Sequence, residues 1–285
     1  MIRIGPAGNS SLFYEEGNKS SIEIPKFLHG KGLNAYEYQC GRGVRVREDF
    51  CKQLKEESEK YDIRLSLHAP YFINLASEDK EKLTKSIGHM EKSLVAAQAM
   101  GAKVIVVHPG AVKKGEPRGQ SLARAKDFLY EALDKTKEFE NISIGLETMG
   151  KVNQLGSLDE VLELCEVSKR LVPVIDFGHL HARDKGLLTS KEEFRKVLEL
   201  IGSKLGAEKL RSLHAHFSPI EYTQGGEKKH RTFDEKEYGP RFEDLAPLIM
   251  EYNMSPVIIS ESADKQTEDA MLMMDIYTKV KGEMK

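Results

Sequence analysis

Eight short apolar or β-branched runs recur along the chain at intervals of a few tens of residues. They cover residues 2–6, 35–39, 64–68, 103–108, 143–147, 173–177, 211–217 and 257–261. Longer stretches with helical periodicity separate them, such as the one carrying Ile87, Met90, Leu94 and Ala97, and another carrying Val161, Leu164 and Ser168. Ser157 with Glu160, and Ser190 with Glu193, have the spacing of capping boxes that open helices. Strands alternating with helices imply parallel pairing through right-handed crossovers, and eight such units close into a single-domain (β/α)8 TIM barrel of the α/β class over residues 1–285. An open doubly wound sheet is disfavoured, because Gly5-Pro6-Ala7-Gly8 lacks the glycine spacing of a dinucleotide site.

The residues that end these runs carry the chemistry. Leu67 is followed by His68, Val107 by His108, Leu146 by Glu147, Ile175 by Asp176, Leu213 by His214 and Ser260 by Glu261. In a parallel barrel all strand ends of one kind lie on one face, so these side chains must converge. Any one of them is readily explained as a loop-capping group. Six together, buried without cations, would cost several kcal/mol in desolvation and repulsion. Imidazole and carboxylate without thiolate suit zinc or manganese, and the donor count exceeds one tetrahedral site, so two or three ions are expected. His179 lies just past the sixth run, and His230 in the polar loop after the seventh. His216 shares a strand face with His214 and is either a ligand or a supporting histidine. His181 reads as a surface or supporting group, and His29 and His89 as structural.

Composition narrows the class. A net charge of -2 and a pI near 6.5 give no global basic field, so nucleic-acid binding would rest on local patches. Cys40, Cys51 and Cys165 offer neither a disulfide framework nor a thiolate zinc site. They suit a reducing, cytoplasmic setting, and no apolar run is long enough to span a membrane.

Taken in order, His68-Ala69-Pro70-Tyr71 with Ile73-Asn74-Leu75, His108-Pro109-Gly110, Gly145-Leu146-Glu147-Thr148, Asp176-Phe177-Gly178-His179, His214 with Ser218, and Glu261 resemble endonuclease IV, the tri-zinc apurinic/apyrimidinic endonuclease family within the xylose isomerase-like barrels. The resemblance spans nearly the whole chain. It implies a zinc-dependent DNA-repair hydrolase that cuts the phosphodiester 5′ to an abasic site in double-stranded DNA, leaving a 3′-hydroxyl and a 5′-deoxyribose phosphate. It also implies a first zinc on His68, His108 and Glu147, a second on Asp176, His214 and Glu261 bridged by Glu147, and a third with His179 and His230. Glu147 and Glu261 are then the catalytic candidates, following the two-metal logic of phosphoryl transfer.

The chain departs from the family where Asp-x-His is expected before His230, since Lys228 stands there; Glu227 or His216 could substitute. The segment Gly8-Asn9-Ser10 lacks the family's usual histidine, and the loop from Cys40 to Arg45 also differs, which marks a divergent branch. Tyr71 corresponds to the aromatic beside the extruded nucleotide. Arg42, Arg45 and Arg47, then Lys113, Lys114 and Arg118, then Lys228, Lys229 and Arg231 follow strands on the same expected face and could contact phosphates. The expected protein is a monomer acting on DNA. The rival readings are a sugar isomerase or epimerase of the xylose isomerase-like barrels and a non-catalytic DNA binder.

Overall fold

The computed structural model describes residues 1–283. Eight parallel strands form the barrel: β1 (Arg3–Pro6), β2 (Ala35–Gln39), β3 (Arg64–His68), β4 (Val104–Val107), β5 (Ser143–Glu147), β6 (Leu171–Asp176), β7 (His214–Phe217) and β10 (Val257–Ser260). Seven of the eight expected runs contain one of them, and the sixth, 173–177, overlaps β6, which begins two residues earlier. The hydrogen-bonded order is β1-β10-β7-β6-β5-β4-β3-β2, so each strand lies beside its neighbour in sequence and only the β1/β2 seam lacks a full ladder. Asn34 fills that seam: its Oδ1 accepts from Ile4 N at 2.8 Å, and its Nδ2 donates to Ile2 O at 3.2 Å. Higher up, Gly8 N donates to Glu37 O at 2.9 Å, and Ala7 bridges Glu37. Gly5 permits the close approach, because a Cβ there would lie 1.7 Å from Ala35 O.

Helices surround the barrel and bury one face each. In the helix Lys80–Met100 the buried set includes Ile87, Met90, Leu94 and Ala97, the i, i+3, i+7, i+10 stripe that the periodicity requires. The Ser157/Glu160 capping box forms and opens the helix Leu158–Cys165; Ser168 lies beyond its end. At the helix Lys191–Leu205 the expected box does not form, because the Ser190 hydroxyl bonds the Glu193 carboxylate instead of a backbone amide. All three cysteines are buried and unpaired. No described helix is long and apolar enough to cross a membrane.

The polar stretch after β7 is not a loop but a two-stranded antiparallel hairpin, β8 (Ile220–Thr223) with β9 (Gly226–His230). It docks on the segment after β5. Glu227 N donates to Gly150 O at 3.1 Å, and Val152 N donates to Gly225 O at 3.1 Å. Gly226 sits at φ +91°, where a Cβ would lie 2.1 Å from Gly150 O, so only glycine fits this crossing.

Candidate metal centre

Barrel register sets the height of each side chain. Asp176 on β6 pairs with His216 on β7, whereas His214 pairs with Val174 one layer deeper. Glu147, Asp176, His216 and Glu261 bring ligand atoms within 4.8 Å of one another, whereas His214, the first residue of β7, converges with Glu37 and His216. His214 instead lies against Glu37 of β2, with Nε2 to Oε2 at 3.0 Å. Both histidines point inward, as residues two apart on a strand must, and only the register distinguishes them.

The other sets assemble around it. His68, His108 and Glu147 converge, with Glu147 Oε2 lying 3.2 Å from His68 Nε2 and 2.9 Å from His108 Nε2. His179 and His230 join Asp176 and Glu261 in a third group. Glu227 adds a carboxylate oxygen 3.5 Å from His179 Nε2. The hairpin explains why Glu227, three residues before His230, faces the centre. Glu221 pairs with Lys229 but Tyr222 pairs with Glu227, so Lys228 is an extra residue in a β-bulge that resets the alternation. Lys228 points its ammonium at Glu221, 2.6 Å away, and is not a donor.

Hydrogen bonds orient the imidazoles. His68 Nδ1 lies 2.9 Å from Ala69 O and His179 Nδ1 lies 2.9 Å from Thr148 O, so a proton on each Nδ1 leaves Nε2 aimed inward. His230 Nδ1 is 2.7 Å from Ser218 Oγ. Glu37, Glu147, Asp176 and His216 are fully buried. Burial pushes Glu261 up to about 8, with Glu147 and Asp176 adding to the rise and His216 opposing it. Burial would also raise Glu147, but His108 and His216 outweigh it and hold that carboxylate well below its usual range. Burial works to lower His68, yet hydrogen bonding to Glu147 prevails and lifts it to about 9. Even so, Asp176 Oδ2 and His216 Nε2 are buried without a hydrogen-bond partner. The orphaned Asp176 oxygen, amid converging carboxylates and imidazoles, fits a divalent cation with oxygen and nitrogen ligands; His216 Nε2 lies nearer Glu37, 3.1 Å away.

A cavity of about 400 Å³ opens above these groups, bounded by His68, Tyr71, His108, Glu227, Glu261 and Lys151. Tyr71 is 58% exposed and stacks on His108 with ring centroids 5.3 Å apart. The loop after β2 packs beneath it: a Cβ on Gly41 would meet the Tyr71 ring at 2.5 Å.

The basic residues divide. Arg42, Arg45, Lys114 and Lys229 are exposed and form no salt bridge among the described residues; Arg47 lies 3.9 Å from Asp49. Lys113 pairs with Glu78 at 2.7 Å. Arg231 is held by Glu221 and Glu235, and Arg118 by Glu160 and the carbonyls of Val152 and Gln154. Those two arginines are structural anchors and not part of an open phosphate track. Glu37 and Lys151 are absent from the sequence-derived set. Neither sits in a motif; the signal for Glu37 is a carboxylate in the middle of the strand Ala35–Gln39, where the barrel interior lies on one side and helices on the other. His181 is buried against Tyr222 and outside the donor sets.

The xylose isomerase-like TIM barrel family model matches residues 26–276. An uncharacterized protein of Methanocaldococcus jannaschii is 34% identical over 281 residues, 98% of each chain. A probable endonuclease 4 of Mycoplasma pneumoniae is 30% identical over 239 residues, covering 81% of this chain and 80% of the relative. The chain belongs to the endonuclease IV family of xylose isomerase-like TIM barrels. Among solved structures, endonuclease IV from Thermus thermophilus superposes with a TM-score of 0.72 at 19% identity, covering 99% of both chains. A D-tagatose 3-epimerase-like protein shares the fold as well, with a TM-score of 0.65 at 21% identity, covering 88% of this chain and 89% of that one.

Proposed function

We propose that the protein is a metal-dependent DNA-repair endonuclease that hydrolyses the phosphodiester 5′ to abasic sites, leaving a 3′-hydroxyl and a 5′-deoxyribose phosphate. The observation that carries this reading is the number of donors: of five converging groups, three are linked pairwise through Glu147 or through Asp176 and Glu261 and add His68, His108, His179, His216 and His230. That is enough for two to three ions, zinc or manganese by ligand type. Bound there, such ions would neutralise phosphate charge and acidify a water.

Under this reading Glu147 is shared between the first and second sets. Glu261 stands at the cavity wall, where its carboxylate can orient water as well as bind a cation. Glu227 takes the place of the carboxylate absent at Lys228, so His179, Glu227 and His230 serve the third ion. Tyr71 walls the space beside the metals and packs against the nucleotide. Lys229, Arg42 and Arg45 meet backbone phosphates, which gives binding a salt dependence but little base specificity.

A second reading, epimerisation of a sugar, draws on the four-donor set Glu147, Asp176, His216 and Glu261, which by itself would satisfy one ion. The histidines His68, His108, His179 and His230 would then have no role, which is why hydrolysis is preferred. The deciding experiment is incubation of a duplex oligonucleotide carrying one abasic-site analogue, with a chelator-treated control and metal analysis of the same preparation. Metal-dependent incision 5′ to the analogue is expected. No incision by protein that holds two or more ions, together with turnover of a ketose, would favour the epimerase.

A further inference from the structure

Glu37 is a fully buried carboxylate of β2; it lies outside the three donor sets described above but takes part in two further convergences, one with His214 and His216 and one with His68 and Glu261. The side-chain atoms nearest its oxygens, between 2.8 and 3.3 Å away, belong to potential donors. Oε2 accepts from Ser66 Oγ at 2.8 Å and faces His214 Nε2 at 3.0 Å. Oε1 accepts from Gln39 Nε2 at 3.3 Å and lies 3.1 Å from His216 Nε2, close enough for a hydrogen bond but not aligned for one in this structure. The other nitrogen of the same ring, His216 Nδ1, lies 3.2 Å from Glu147 Oε1 and 3.4 Å from Glu261 Oε1. One imidazole therefore connects the centre to a buried anion beneath it.

We propose that Glu37 is the positioning residue of the centre: it accepts the Nε2 proton of His216, fixing the tautomer that presents Nδ1 to the cation and raising the basicity of that nitrogen. This inference rests on reading the cluster as a metal centre. The physical reason is that a ring committed to a cation through Nδ1 must carry its proton on Nε2, and a buried N–H needs an acceptor. Glu37 Oε1 lies within reach of that atom. Ser66, Gln39 and His214 hold the carboxylate from its other sides, so it cannot swing away. A cation held one ring away would supply the counter-charge to Glu37, which gives a barrel interior reason to keep it.

The test is a titration of full-length, chelator-stripped protein with Co²⁺ and Zn²⁺ against a competing chromophoric chelator, on wild type, Glu37→Gln and Ser66→Ala. Gln is nearly isosteric but presents an amide that accepts weakly and can donate where an acceptor is needed. The expected result for Glu37→Gln is about 10- to 100-fold weaker binding of one ion, with unchanged stoichiometry at saturation and shifted Co²⁺ absorption bands. Ser66→Ala, which removes one support of the carboxylate, should shift binding the same way but less. Wild-type affinity and spectrum in Glu37→Gln would overturn the proposal. So would the loss of one ion at saturation, which would make Glu37 a ligand. Should circular dichroism show Glu37→Gln unfolded, Ser66→Ala decides: weakened binding supports the role and unchanged binding overturns it. If the wild type itself binds neither metal, the metal-centre reading falls, a result distinct from a wild type that binds and variants that match it.

Discussion

The two halves of the candidate centre are built by different means. His68, His108, Glu147, Asp176 and Glu261 stand at or just beyond the ends of barrel strands, and the ladder that runs from β1 through β10 to β2 fixes where those ends lie. Glu227 and His230 come from the hairpin β8/β9, whose place depends on a bulge at Lys228, on Gly226 and on the carbonyl of Gly150. The first half is supported by the whole hydrophobic core. The second rests on a few backbone contacts. The difference teaches that a donor set can be conservative on one side and variable on the other: a strand end cannot move without disturbing the barrel, while one inserted residue in a hairpin changes which side chain faces inward.

That contrast can be broken from either side, and the largest effect is expected at the strand ends. Glu261→Gln should reduce incision of abasic DNA by orders of magnitude with an unchanged circular dichroism spectrum, because it removes a shared anionic donor and no apolar packing. Near-wild-type turnover with full metal content would remove Glu261 from the site. Gly226→Ala comes next. The added methyl forces a positive-φ residue toward Gly150 O, which should cost on the order of 2 kcal/mol and release the hairpin; a thermal melt and the metal content together measure it. Retention of every ion after this substitution would show that the hairpin does not hold one.

Glu227→Gln is a milder probe of the same half. It should weaken the ion served by His179 and His230 while leaving the His68, His108 and Glu147 set loaded, so metal analysis at limiting zinc should fall by about one ion per chain. An equal loss from both sets would erase the distinction drawn between the halves. The smallest effect is expected from Lys228→Asp. Its side chain points to Glu221, away from His179, so restoring an acid two residues before His230 should leave metal content unchanged and shift stability by no more than about 0.5 kcal/mol. A rise in zinc stoichiometry would mean that the bulge does not set the inward face.

Much of this was open to reading in the chain alone. The eight runs, their parallel order and the polar residue at the end of five of them follow from local patterning, because strand alternation and helix periodicity are properties of short segments; the sixth, His214, opens β7 instead of ending it. His68, His108, Glu147, Asp176 and Glu261 converge for the same reason: parallel strands of one barrel end on one face. The Ser157/Glu160 cap is likewise a local matter.

What only the tertiary structure decided concerns height, parity and partners across the barrel. His214 and His216 have the same parity, so nothing in their spacing tells which is level with Asp176; the β6/β7 register does. Whether Glu227 or residue 228 faces His179 depends on a bulge defined by pairing with another strand. Arg118 and Arg231 look like free cations in the chain and become anchors only when Glu160, Glu221 and Glu235 fold beside them. Glu37 reaches His216 across the barrel, from a strand separated from it by most of the chain. Sequence patterning fixes periodicity along a segment, whereas register and contact between distant segments arise only when the barrel closes.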